Sequence, residues 1–95
     1  MLYLVVYDIG DNRRRSKMIH YLEKCGLRRI QRSAFIGSIV KARAHDIARY
    51  SQSLIDTEKD VVHIIPVERA AWRNSLVIGT SRWSAGRGEN YVIQA

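Results

Sequence analysis

A chain of 95 residues, 46% of them hydrophobic, makes one domain, small enough to gain from pairing with a copy of itself. Its formal net charge of +7 is unevenly placed: residues 1–50 carry eleven Lys or Arg against four Asp or Glu, residues 51–95 five of each. The excess is therefore a patch on the first half, which favours nucleic acid or an anionic membrane surface as partner. No apolar stretch approaches a membrane span, and Met1 leads into a strand with no basic leader. The lone Cys25 cannot form an internal disulfide and fits a reducing, cytoplasmic setting.

The apolar run Leu2-Tyr3-Leu4-Val5-Val6-Tyr7, closed by Asp8 and a turn signal at Gly10, reads as a buried strand over residues 2–8. Residues 13–25 read as a helix that Asp11 or Asn12 can cap. Met18, Ile19, Leu22 and Cys25 form its apolar stripe, and Gly26 is its stop. Residues 28–36 alternate loosely and predict one second strand, with Gly37 a bulge or turn and Ser38-Ile39-Val40 continuing it or forming a third. Residues 43–55 predict a second helix with Ile47, Ala48, Ser51, Leu54 and Ile55 on one face. Residues 61–67 predict another buried strand, and Pro66, which lacks an N–H, belongs at an edge or an end.

Residues 68–74 predict a short helical or looped link, and Ser75-Leu76-Val77-Ile78-Gly79 a last core strand. Residues 80–90, rich in Gly, Ser and Arg, read as a connection, and Tyr91-Val92-Ile93 as a terminal strand that can pair with a partner chain. The order predicts an α+β, ferredoxin-like sandwich: an antiparallel sheet with two helices on one face and the first strand central. The core domain spans 1–79, with 80–95 a C-terminal extension. Tyr3, Val5 and Tyr7 alternate with Leu4, Val6 and Asp8. The helices cover one set, and a second copy of the chain is the natural cover for the other.

Several chemistries lack support. His20, His45 and His63 lie in different elements with no nucleophilic motif around them. His20 and Cys25, five apart, point to different helix faces, against a zinc pair. Gly86-Arg87-Gly88 has no strand-turn-helix context for a dinucleotide.

The constellation that remains is Asp8 followed by Arg13-Arg14-Arg15 and Lys17. An acid at the mouth of a buried strand is rigidly held yet reaches water. Cations in the first turn of a helix oppose the macrodipole at roughly 0.3–1 kcal/mol each, so the placement suggests an anion that offsets them. One carboxylate is a poor magnesium site, but an isologous dimer with Asp8 near its two-fold axis supplies two. The second cluster is Arg28, Arg29 and Arg32 with Gln31 and Ser33, suited to phosphate and ribose. Phe35, the single phenylalanine, is either core or a stacking wedge at a nucleic-acid surface.

Leu2 to Ile9, the basic helix start after Asp11, the run Gly26-Leu27-Arg28-Arg29-Ile30-Gln31-Arg32-Ser33-Ala34-Phe35-Ile36-Gly37, Ile64-Ile65-Pro66-Val67 and Leu76-Val77-Ile78-Gly79 occur in the order and spacing of one family. Over residues 1–79 the chain resembles the small CRISPR-associated Cas2 proteins, partners of the Cas integrase in spacer acquisition. The resemblance implies a ferredoxin-like homodimer whose terminal strands pair across subunits, and a Mg2+ site at Asp8. It implies a metal-dependent endonuclease acting on RNA or double-stranded DNA, or a non-catalytic DNA-binding scaffold of the acquisition complex. Positions matched to activity are Tyr7, Asp8, Arg15, Lys17, Arg29 and Phe35. The expected nucleic-acid surface comprises Arg13, Arg14, Arg15, Lys17, Arg28, Arg29 and Arg32. Lys17 stands where some relatives have arginine, and residues 80–95 show no family pattern. A generic RNA-binding module is a third reading, though the Arg-Ile-Gln strand lacks the paired aromatics it would need.

Overall fold

The computed structural model describes residues 1–80, 82 and 83. Four strands and three helices follow one another as β1 (Leu2–Asp8), α1 (Asn12–Lys24), β2 (Arg28–Gln31), β3 (Ala34–Ser38), α2 (Lys41–Leu54), β4 (Val61–Val67) and α3 (Arg69–Arg73). The strands form one antiparallel sheet in the order β2-β3-β1-β4. With α1 and α2 against one face, this is the ferredoxin-like α+β sandwich, and β1 is central.

Alternation along β1 makes the core. Val5 pairs with Phe35 on one side and Ile64 on the other. Val5 and Phe35 are fully buried, together with Met18 and Leu22 from α1 and Ile47 from α2. Tyr3 and Tyr7 belong to the same cluster. The opposite parity, Leu4 and Val6 with Val61, His63 and Ile65, lies on the face away from the helices and is only partly covered. At one end of that open face, Trp72 of α3 shares a small cavity with Leu2, Ile36 and Arg28, and Arg69 donates to Ser38 Oγ at 2.9 Å.

The ends of α1 follow local rules. Asp11 is its cap, its carboxylate accepting from the Arg14 N–H at 2.8 Å. Gly26 takes φ +91° just past the helix, and the Leu27 N–H returns to the Leu22 carbonyl.

Three sequence expectations need correction. Residues 28–36 are not one strand but a hairpin, β2 and β3, turning at Arg32-Ser33, with an irregularity between Arg29 and Gln31. Loose alternation concealed the reversal because the turn carries neither Gly nor Pro. Gly37 is not a turn residue. It lies inside β3, where an added Cβ would stand 2.9 Å from Leu27 Cγ and 3.0 Å from Leu27 Cα. The segment 75–79 is not a core strand: it makes a single bridge at Val77, and Leu76 and Ile78 are 73% and 74% exposed. The helices also begin earlier than expected, at Asn12 and Lys41. The expected strand 91–93 lies outside the described residues.

Candidate nucleic-acid and metal-facing site at the end of the first strand

Asp8 ends β1 opposite Val61, the first residue of β4. It is exposed, and its carboxylate has no partner among the described residues. The backbone then turns through Ile9 and Gly10 into the capped start of α1. An acid at the rim of the central strand, next to four cations within nine residues, is the feature that sets this end of the molecule apart. Among the described residues no three His, Cys, Asp or Glu side chains gather to hold an ion. A single chain therefore brings Asp8 as a hard oxygen donor but not a complete cage. That chemistry fits a hydrated divalent ion held by one or two carboxylates and by substrate phosphates.

The arginines do not act alike. Arg15 folds back over the loop, donating through Nη1 to the Ile9 carbonyl at 2.8 Å and through Nη2 to Asn12 Oδ1. Arg14 reaches Asp60 at 3.3 Å. Arg13 and Lys17 remain exposed and line a groove of about 720 Å3 between α1 and α2 with His20, Lys24, Tyr21 and Tyr50. The two tyrosines stack with centroids 4.0 Å apart. His20 and Lys24 were not singled out from sequence. Their offsets from Arg13, seven and eleven residues, put them on the same helix stripe, which was the available signal.

Asp60 is the residue that sequence reasoning missed most. Read as part of a charged loop, it is instead buried, its side chain 2% exposed. It accepts from the Gly10 N–H and the Asp56 N–H, each at 3.1 Å, and from Arg14. The Gly10 and Asp56 N–H groups, then Arg14, hold its carboxyl below the usual carboxylate range, against the opposing effect of burial. Asp60 thus ties the loop after Asp8 to the start of β4. It also provides, from within the chain, part of the anion that the basic helix start called for. No sequence signal separated it from Asp56 and Glu58, because only the loop's path decides which acid turns inward.

The second cluster converges on one backbone atom. Tyr7 Oη donates to the Arg32 carbonyl at 3.2 Å, and Arg29 donates to it through Nη2 at 2.6 Å and Nε at 3.2 Å. The Arg29 guanidinium lies 6.0 Å from the Phe35 ring centroid and 4.9 Å from that of Trp83. Burial pushes the Tyr7 phenol above its usual range, against the pull of Arg29 and Arg15, so it is a neutral donor at physiological pH. Phe35, fully buried behind Tyr7, is core rather than a surface wedge. Tyr7, Arg29 and Phe35 therefore hold the β2–β3 turn. Arg32 is exposed on that turn and Arg28 is half-buried on the other face. The structure brings Asp8, Arg15 and Tyr7 to one end of the sheet and leaves Lys17 on the outer helix face.

The structure is thus a four-stranded ferredoxin-like sandwich with an exposed carboxylate at the rim of its central strand and cations opening the next helix. The model of the CRISPR associated protein Cas2 family matches residues 1–75, and the chain belongs to that family. It is 36% identical over 81 residues to the CRISPR-associated endoribonuclease Cas2 1 of Archaeoglobus fulgidus, covering 85% of this chain and 86% of that one. It is also similar to a CRISPR-associated endonuclease Cas1/endonuclease Cas2 fusion of Thermoproteus tenax, 35% identical over 79 residues, 82% of this chain and 30% of the fusion. Among solved structures, the Cas2 of Streptococcus pyogenes at pH 6.5 superposes with a TM-score of 0.59 at 26% identity, over 72% of this chain and 87% of that one. A hypothetical protein of Thermus thermophilus gives a TM-score of 0.65 at 36% identity, over 70% and 80%. Among the described residues no helix is long and apolar enough to cross a membrane.

Proposed function

We propose that this chain is a metal-dependent endonuclease of RNA or duplex DNA that works as a homodimer beside the Cas integrase in spacer acquisition. The observation that carries the reading is Asp8, exposed on a rigid strand end and without a partner among the described residues, in a chain of this family. The names of the relatives support the activity, and the Thermoproteus fusion supports a partner of the Cas1 type.

The open face supports a dimer. Leu4 and Val6 are half-covered, and Val61 and Ile65 are 43% and 40% exposed. Burying such a face is worth about 25 cal/mol per Å2 of apolar surface. A two-fold axis near the end of β1 would set two Asp8 carboxylates around one ion. When bound, magnesium would supply charge neutralisation at the scissile phosphate and a lowered water pKa. Asp8 would orient it, Lys17 and Arg13 would bind flanking phosphates, and Arg15 and Asp60 would keep the loop in place. Attack of water on phosphorus would break one P–O ester bond, and the leaving oxygen would take a proton from solvent.

The test compares wild type with Asp8→Asn, with and without magnesium, on RNA and on duplex DNA. The expected loss is at least about two orders of magnitude in rate, roughly 2.7 kcal/mol or more in the transition state, with nucleic-acid binding nearly intact. A scaffold of the acquisition complex is the second reading, favoured by the engagement of Arg14, Arg15 and Arg29 within the fold. It requires no cleavage above background in wild type, and an Asp8→Asn chain that still supports acquisition. Equal cleavage by both preparations would mark a contaminating nuclease.

A further inference from the structure

We propose that the groove between α1 and α2 binds a free nucleoside polyphosphate, its base against the Tyr21–Tyr50 ring pair and its phosphates on Lys17 and Arg13. The groove lies in the helix layer, on the far side of the sheet from the open face. The site therefore needs neither Asp8 nor a second copy of the chain.

The cavity of about 720 Å3 has the size of a small-molecule site. Two kinds of group meet in it. Tyr21 of α1 and Tyr50 of α2 stack with centroids 4.0 Å apart and planes 14° from parallel. Both are half-buried, so they form a preset flat wall on which a base can continue the stack at little ordering cost. Arg13, Lys17, His20 and Lys24 line the same groove, following one stripe of α1 at helical spacing. No carboxylate lines it among the described residues. Asp46, which acts on Tyr21, pairs with Arg49 of its own helix. Burial, then Cys25, holds the Tyr21 phenol above its usual range, so the wall carries no charge that would repel phosphate.

Cations alone suit any anion, and rings alone suit any flat apolar group. A ligand that uses both is a nucleotide whose base is free. Duplex DNA can rest its phosphates on Arg13 and Lys17, but its bases are paired and stacked within the helix and do not reach the rings. From Tyr21 to Arg13 is about 12 Å along the axis of α1, a reach that an extended nucleoside triphosphate covers from base to last phosphate. His20, beside Tyr21 in the chain, would meet the phosphate nearest the ribose. The charged groups fall within about 17 Å of one helix. That density fits phosphates joined directly to one another, rather than those of a strand, which sugars hold apart.

The experiment titrates the full chain calorimetrically, without divalent metal, using adenosine triphosphate, inorganic tripolyphosphate and adenosine as probes. Wild type should bind adenosine triphosphate about tenfold or more tightly than either fragment, since it alone engages rings and cations together. Tyr50→Leu should lose about tenfold in affinity for adenosine triphosphate, as expected for one base stack, and keep its affinity for tripolyphosphate. Tyr50→Phe, which keeps a ring, should bind like wild type. Lys17→Ala should weaken adenosine triphosphate and tripolyphosphate alike and leave adenosine unchanged. Equal binding of adenosine triphosphate and tripolyphosphate by wild type overturns the proposal. So does a Tyr50→Leu chain of native circular dichroism that binds adenosine triphosphate as wild type does. If Tyr50→Leu fails to fold, the three probes on wild type and on Lys17→Ala still decide. An unpaired tetranucleotide that binds more tightly than adenosine triphosphate and displaces it would make a strand the ligand and also overturn the proposal. Asp8→Asn should bind adenosine triphosphate as wild type does, so failure here leaves the reading of Asp8 untouched.

Discussion

Asp8 and Asp60 are carboxylates at the same end of the sheet, and their surroundings give them opposite work. Asp8 is exposed with no partner among the described residues, so its replacement by Asn should leave stability within about 0.5 kcal/mol of wild type. Asp60 is enclosed by two backbone N–H groups and Arg14. Its folded-state carboxyl titrates below its unfolded value, so its stabilisation is complete above the unfolded pKa, near 3.9, and is lost as pH falls through the folded value. Asp60→Asn should therefore melt at a lower temperature than wild type at pH 7. The difference should shrink below about pH 4, where the wild-type carboxyl is protonated too. Melting curves from pH 7 down to pH 2 test this, and a gap that stays constant would mean that the charge of Asp60 contributes nothing. The same contact makes Arg14 a holder of the loop before it is a binder of phosphate.

Among the elements, β3 and the segment 75–79 show how packing and pairing decide what a local pattern leaves open. Gly37 is required because the backbone of Leu27 passes against β3. Gly37→Ala should destabilise the fold by about 1–3 kcal/mol, as overpacking against backbone does, measurable by urea titration. Residues 75–79 keep a strand-like sequence with Leu76 and Ile78 outward. If they pair with a second copy, Leu76→Lys/Ile78→Lys should shift the sedimentation profile from dimer toward monomer at micromolar concentration while the far-ultraviolet circular dichroism is kept. An unshifted profile would exclude this segment from the interface.

For the whole molecule, the charge asymmetry predicts how the proposed nucleic-acid ligand would be held. Arg13 and Lys17 on the α1 groove and Arg32 on the β2–β3 turn are exposed, with no base-reading arrangement between them. Affinity for duplex DNA should fall with salt at a log–log slope of roughly −0.9 per neutralised phosphate and depend little on sequence. Titrations at several salt concentrations on two unrelated duplexes check both. Because Arg14 and Arg15 are engaged internally, Arg13→Ala/Lys17→Ala should reduce the slope by about 2, and Arg14→Ala should act mainly through stability.

Short-range physics made much of this molecule legible in the sequence. The continuous apolar run of β1 and the Asp11 cap with its Gly26 stop are local rules, and each held, whereas β4, read from its apolar run as a buried strand, is the outermost strand of the sheet with no fully buried residue. The α+β order and the central first strand followed from them. Asp8 stood out because a charge that ends a buried strand has few structural reasons to be there. What depended on distant chain was not legible. Whether residues 28–36 ran straight or reversed turned on β3 finding the edge of β1. The inward turn of Asp60 depended on Gly10, fifty residues away. The side chain of Phe35 is buried because both helices close over it, a fact no residue type encodes. The pairing of Val5 with Phe35 on one side and Ile64 on the other exists only once β1, β3 and β4 are in register, because alternation sets which face each side chain takes but not which strands lie side by side.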